Sequence, residues 1–304
     1  MHTTSHLLMI RPVSFGFNEE TAVNNSFQIK GMDDDVQYKA LKEFDAFVQK
    51  LSDAGVDVTV VDDTLSPHTP DSIFPNNWIS FHDNGTVILY PMFAENRRAE
   101  RKPHVLETIK TKFSVNKIID LTSYEAENKF LEGTGSMVPD RGNKIVYACL
   151  SPRTSEDVLK IFCGHTGYKP CTFFAADRNG DAVYHTNVMM CMADNYAVIC
   201  MECISDESER TRVKETLLLS GKEIIEISFE QMNHFAGNML QVMNADGEKI
   251  LVMSSQAYHS LKSEQIKKLE SYNRILHSSL ETIETNGGGS ARCMMAEVFL
   301  PVNV

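Results

Sequence analysis

Hairpin turns recur along this chain at a spacing that leaves few folds open to it. "NNWISFHDNGTVILYPM" reverses at Asn84-Gly85, "GSMVPDRGNKIVYACL" at Arg141-Gly142, "TNVMMCMADNYAVICM" at Asp194-Asn195 and "NMLQVMNADGEKILVMS" at Asp246-Gly247. In each, alternating β-rich residues flank a pair suited to a tight reversal. A charged segment of helical period follows every hairpin: "ENRRAERKPHVLETIKTKF", "TSEDVLKIFCGHTG", "SDESERTRVKETLLLSG" and "SQAYHSLKSEQIKKLESY". Short runs such as "NKIIDLT", "CTFFAA" and "KEIIEIS" then supply a third strand, so the unit is ββαβ.

A fifth unit forms only if the two ends of the chain meet. "CMMAEVFLP" would pair with "HLLMIRP", after which "YKALKEFDAFVQKLSDAG" gives the helix and "VDVTVVDD" the strand. The expectation is an α/β fold in one domain over residues 1–304. Its five ββαβ blades form a propeller closed by the N- and C-terminal strands. An ordinary α/β sheet decorated with hairpins is the alternative.

The repeat places chemistry in register. Asn77, Glu132, His185, Asn238 and Cys293 follow one another at intervals of 53 to 55 residues, each just before or at the start of a first strand. In a closed ring these positions converge near the axis, where a pocket forms. Cysteine is a strong nucleophile and histidine transfers protons near neutral pH, so the set fits covalent catalysis. Glu132 precedes Gly-Thr-Gly, a narrow turn from which a carboxylate can accept two N–H groups of a planar substrate. Ahead of Cys293, the glycines 287–289 let the backbone bend and approach a substrate, with Gly288 central to the run. Arg292, if inward-pointing, would favour the thiolate. His234 in "QMNHFAGN" is placed near the axis as well. Taken singly, Cys293 reads as a buried thiol, His185 as a core histidine and Glu132 as a solvated turn residue; the shared register favours the functional reading.

Composition removes several other classes. No run approaches the roughly 20 apolar residues of a membrane span, and "MHTTSHLLMIRP" lacks the pattern of a secretory signal, so a cytoplasmic location is expected. The formal net charge of −12 repels phosphate backbones and anionic lipid, and only "ENRRAERK" interrupts it, so neither nucleic acid nor membrane is an expected partner. The 7 cysteines lie mostly in apolar runs and read as reduced core thiols. Cys200 and Cys203 form a C-x-x-C in an apparent strand with no second pair, which leaves zinc or redox use as the lesser reading. The 15 methionines alternate with apolar neighbours and read as core filling. No metal and no organic cofactor is expected.

"PDSIFPNNW", "PMFAENRRAE", "LEGTG", "SPRTS", "YHTN" and "NGGGSARC" occur in an order that resembles the guanidino-group-modifying superfamily of five-bladed α/β propellers, the penteins. Arginine deiminase, agmatine deiminase, glycine amidinotransferase and dimethylarginine dimethylaminohydrolase belong to it. The chain looks most like the last branch and the related bacterial citrulline-utilisation hydrolases. The resemblance implies that Cys293 attacks the central carbon of a guanidinium or ureido group, and that His185 protonates the departing amine and activates water. It also implies that Glu132 grips the planar nitrogens, Arg153 holds the substrate α-carboxylate, and Asp71 helps bind the substrate. Asn187 and Asn238 are further expected contacts.

Two departures bear on the substrate. Where relatives carry acidic residues, this chain has Asn76-Asn77, and where deiminases have His-x-Asp it has His185-Thr186-Asn187. Carboxylates attract a guanidinium; asparagine offers a neutral carbonyl and a donor. The expected substrate is thus a small arginine-like molecule with a less cationic head, citrulline or a substituted arginine. Amidino transfer to an acceptor amine shares the first half-reaction and stays open, as do a non-catalytic binder of such metabolites and the oligomeric state, a homodimer included. A papain-like peptidase runs its cysteine and histidine in the opposite chain order.

Overall fold

The computed structural model describes residues 3–31 and 35–303. Five three-stranded sheets account for the strands, and each has the same internal plan. A first strand runs antiparallel to a second, which runs parallel to a third across a helix. The sets are Ile79–Phe81, Thr86–Leu89 and Lys117–Asp120; Val138–Asp140, Ile145–Cys149 and Lys169–Phe173; Met190–Met192, Tyr196–Ile199 and Glu223–Glu226; Leu240–Met243, Lys249–Ser254 and Arg274–Ser278. The remaining sheet joins the ends. Ala296–Glu297 pairs with His6–Arg11, Leu7 opposite Glu297 and Leu8 opposite Ala296, and His6–Arg11 pairs in parallel with Asp57–Asp62.

Periodicity explains why the crossovers are helical. In Val36–Asp53 the buried residues are Ala40, Phe44, Phe47 and Leu51, spaced to form one apolar stripe against Leu7, Met9, Leu240 and Val252. The helix Glu156–Thr166 ends at Gly167, whose φ of 75° is a left-handed stop. After the strand Thr86–Leu89, "ENRRAERK" breaks between a one-turn helix, Glu95–Arg98, and Pro103–Lys112, because proline starts a helix readily but cannot continue one. The hairpins are looser than their central pairs imply. Asp246-Gly247 lies in a connection from Met243 to Lys249, and the Arg141-Gly142 turn closes through Lys144 at φ 53°.

Successive units touch, mostly through the short turns that precede their first strands. Ala296–Glu297 lies against Ile79–Phe81; Asn76 Nδ2 donates to Thr134 Oγ1 at 3.3 Å; the Cys149 N–H donates to Thr186 Oγ1 at 2.9 Å. The Asp194 N–H donates to Gln241 Oε1 at 2.9 Å, and the Met243 N–H to the carbonyl of Thr4, just ahead of the strand His6–Arg11, at 3.0 Å. Among the described residues no helix is long and apolar enough to cross a membrane. All 7 cysteines are free and buried. Cys203 sits in a short 3-10 turn, Met201–Cys203, beyond the strand in which the C-x-x-C was expected, and no cluster of three or more metal-binding side chains occurs among the described residues.

Candidate active site

The five register positions enter the site just ahead of the first strands, with an extra turn where the sequence supplies one. One-turn helices, Gly133–Ser136 and Thr186–Met189, intervene after Glu132 and His185. Asn77 closes a 3-10 turn, Pro75–Asn77. Gly133–Ser136 brings Gly135 so close to the neighbouring chains that a Cβ there would lie 2.4 Å from Asn77 Nδ2 and 2.8 Å from His185 Nδ1. Glycine is therefore required for Asn77 and His185 to sit side by side.

Glu132 is fully buried, His185 is 2% exposed and Cys293 4%. His185 Nε2 lies 2.8 Å from Glu132 Oε2, and the other carboxylate oxygen accepts the Phe93 N–H at 2.9 Å. Burial alone would raise the Glu132 carboxyl, but Arg153, His185 and Arg97 outweigh it and hold it at about 2. Burial depresses the imidazole to about 4 against the pull of Glu132, so near neutral pH His185 is uncharged beside a carboxylate. The proton then sits on Nε2, and Nδ1 is left as a base. Cys293 Sγ accepts from Asn238 Nδ2 at 3.2 Å and from Asn187 Nδ2 at 3.5 Å. Asn238 Oδ1 in turn accepts the Arg292 N–H at 3.0 Å, which fixes the amide so that its donor faces sulfur.

Cys293, His185, Asn77, Arg153, Tyr184, Phe74, Arg97, Asn25 and glycines 287–289 line one cavity of about 20 Å³. That is room for about one water molecule, far less than an amino acid needs. Beside it runs a strap formed by residues 18–31, whose Asn25 lines the cavity. Asn18 Nδ2 and Thr21 Oγ1 donate to Asp71 Oδ2 at 2.8 and 3.1 Å. The Asn24 side chain and the Thr21 carbonyl accept from Arg153 Nε and Nη2, both at 2.8 Å. Asn25 Nδ2 donates to the Gly288 carbonyl at 3.3 Å, and the Ile29 N–H to Thr285 at 2.7 Å.

The sequence expectations divide accordingly. Asn77, Arg153, His185, Gly288 and Cys293 meet at the cavity, with Glu132, Asn187 and Asn238 directly behind. Asp71 and Asn76 do not line it; Asp71 anchors the strap and Asn76 bonds Thr134. Arg153 is buried, not a surface residue, and much of its fork is engaged by the strap. Gly288 has φ 62° and a Cβ there would meet Asn25 Nδ2 at 2.5 Å, so its bareness admits the strap. Arg292 points away from the thiol: Nη1 donates to the Met295 carbonyl and Nη2 to Glu297, both at 2.8 Å. His234 lies outside the site, half-exposed, bonded to the Glu230 carbonyl.

Arg97 is the residue the sequence did not single out. It is buried, donates to Glu100 Oε1 and Oε2 at 2.8 and 3.0 Å, and gives Nη1 to Asn77 Oδ1 at 2.9 Å. That bond dictates how the Asn77 amide is turned. Its Nδ2 then has no hydrogen-bond partner among the described residues. Asn77, which lines the cavity, thus carries an unpaired amide donor, packed against Gly135 and near the neutral imidazole of His185.

The model of the family described as N,N dimethylarginine dimethylhydrolase, eukaryotic, matches residues 11–300. Sequence comparison with curated proteins gives no match. Among solved structures, the chain resembles ArgZ, an arginine dihydrolase from the ornithine–ammonia cycle in cyanobacteria. The TM-score is 0.75 and the identity 17%, with 98% of this chain and 41% of that one covered. This chain therefore spans well under half of full-length ArgZ, whereas it covers 98% of the isolated ArgZ N-terminal domain bound to substrate, at a TM-score of 0.76 and 17% identity. A dimethylarginine dimethylaminohydrolase adduct with 4-chloro-2-hydroxymethylpyridine matches with a TM-score of 0.66 and 18% identity, covering 97% of this chain and 99% of that one.

Proposed function

The chain belongs to the N,N-dimethylarginine dimethylhydrolase family within the guanidino-group-modifying superfamily, and from that premise we propose that it hydrolyses a C–N bond at the guanidino or ureido carbon of an arginine-like amino acid through a covalent intermediate on Cys293. The observation that carries this reading is the convergence of Cys293 and the Glu132-paired His185 on one small cavity. His185 Nδ1 takes the thiol proton as Sγ bonds to the central carbon, and the imidazolium gives that proton to the amine as its C–N bond breaks. Water then adds to the carbon, losing a proton to His185, and the C–S bond breaks to return the thiol. Glu132 keeps the imidazole in the required tautomer and stabilises its charged form.

Asn77 speaks for the substrate. An unpaired Nδ2 donor accepts a partner with a lone pair, such as a ureido oxygen, and opposes a guanidinium N–H at the same place. Citrulline is the leading member of the proposed class, with N-substituted arginines beside it because substitution removes guanidinium N–H groups, and Arg153 would bind the α-carboxylate once the strap releases it. The contacts between successive units support a single propeller domain closed by its own ends.

The test is product release, followed by mass spectrometry, from wild type and Cys293→Ala incubated with citrulline, arginine, N-methylated arginines and agmatine. Product that depends on Cys293, formed without an acceptor amine, is expected from citrulline or a substituted arginine. Product formed only when a second amine is supplied would replace hydrolysis by amidino transfer; undiminished turnover by Cys293→Ala would refute the covalent mechanism.

A further inference from the structure

Outside the strap lies a second, larger cavity of about 310 Å³. Its walls come from the loops that lead into His185 and Asn238, through Asp177 and Phe235, from the helix Glu281–Gly287, through Glu284, and from the strap, through Phe27. Phe27 stands between the two cavities: its ring meets Tyr184, which lines the inner cavity, with centroids 6.3 Å apart, and Phe235, which lines the outer one, at 5.2 Å.

Glu284 is the unusual element. It is 3% exposed, and Ser290 Oγ and Gln256 Nε2 donate to its two oxygens at 2.6 and 3.0 Å. Among the described residues no lysine or arginine forms an ion pair with it, and no cationic side chain lines the cavity. A buried carboxylate ordinarily has a counter-charge. Here neutral donors take its place, at the wall of a pocket with a second carboxylate, Asp177, and two aromatic rings. Carboxylates and ring faces together are what recognises an organic cation.

We propose that this outer cavity is a binding site for a small aliphatic ammonium ion, held by Glu284 and Asp177 and packed against Phe27 and Phe235. Binding there is separate from the reaction at Cys293 and does not rest on it. Ser290, bonded to Glu284, also accepts the Cys293 N–H through its carbonyl at 2.9 Å, so one residue touches the walls of both cavities. Burial raises the Glu284 carboxyl to about 7, against hydrogen bonds from Ser254, Ser290 and Gln256 and with Glu43 adding to the rise. Asp177 lines the same cavity as a further negative group, with its Oδ1 accepting the Asn179 and Asp181 N–H groups at 2.8 and 3.0 Å. An ammonium ion should therefore bind better as pH rises past neutrality, when Glu284 ionises.

The probe is n-butylammonium chloride, titrated calorimetrically into the full chain with n-butanol as the neutral control. Saturable binding is expected, roughly tenfold weaker for n-butanol, for Glu284→Gln and for Phe27→Leu. Glu284→Gln keeps hydrogen-bonding partners for Ser290 and Gln256, and it should also abolish the rise in affinity between acid and alkaline pH. Absence of saturable binding, or equal binding of n-butanol, would overturn the proposal. So would binding that survives Glu284→Gln but disappears in Asn77→Leu, because that would place the cation in the inner cavity.

Discussion

Asn77→Asp should turn the site's preference from a ureido toward a guanidinium group. Arg97 Nη1 donates to Asn77 Oδ1 at 2.9 Å, and an aspartate keeps that bond. Its second oxygen replaces the unpaired Nδ2, so a residue that lines the cavity exchanges a neutral donor for a charged acceptor. A charge-assisted hydrogen bond to a guanidinium N–H is worth roughly 1.5–3 kcal/mol. Arg97 already faces Glu100 and Asp71, but as a cation it neutralises part of the new charge, so the lower end applies. That end is roughly tenfold in kcat/KM for arginine. Citrulline, losing a donor to its oxygen, should fall by a similar factor, and the ratio of the two should move by roughly a hundredfold. The assay is kcat/KM for L-arginine and L-citrulline, wild type against variant, each below saturation. A ratio that stays within roughly threefold, or that moves toward citrulline, would refute the role given to this amide.

Gly135→Ala should push either the Asn77 amide or the His185 ring out of place, since its Cβ would lie within 2.4 to 2.8 Å of both; stability should fall by roughly 1–3 kcal/mol from overpacking and kcat with it as the His185 ring is displaced, and an active, equally stable variant would contradict the geometry. With His185 held at about 4, protonation removes the base only below that value, so the acid limb of the kcat/KM profile should fall near pH 4; a limb at the ordinary histidine value would mean a different environment. Glu132→Gln leaves buried Arg153, 3.6 Å away, facing no charge there, and the urea midpoint should drop by the equivalent of about 3–5 kcal/mol; an unchanged midpoint would show that the pair is not sustained.

The repeat made Asn77, Glu132, His185, Asn238 and Cys293 legible, because equivalent places in successive units carry a common offset from the strands. Nothing comparable marked Arg97. It sits in a charged run that reads as a solvated face, and it is buried only because Glu100 and Asp71 neutralise it, Asp71 from a distant stretch of chain. The strap was equally hidden: it is held mostly by side chains such as Asn24 and Asn25 on residues more than a hundred positions away, a pattern without periodicity. Proximity in sequence misled at two points. Phe235, at φ 61°, turns the chain so that His234 faces outward while Asn238 faces Cys293. Arg292 adjoins Cys293, but its guanidinium is drawn to Glu297.

The central claim is that carbon from the substrate becomes bonded to Cys293. The direct measurement is acid quenching of the wild type during turnover, followed by intact-mass and peptide mass spectrometry. The account predicts an added mass that maps to the peptide holding Cys293 and is absent from Cys293→Ala; steady turnover with no adduct in either protein, or an adduct on another of the cysteines, would contradict it.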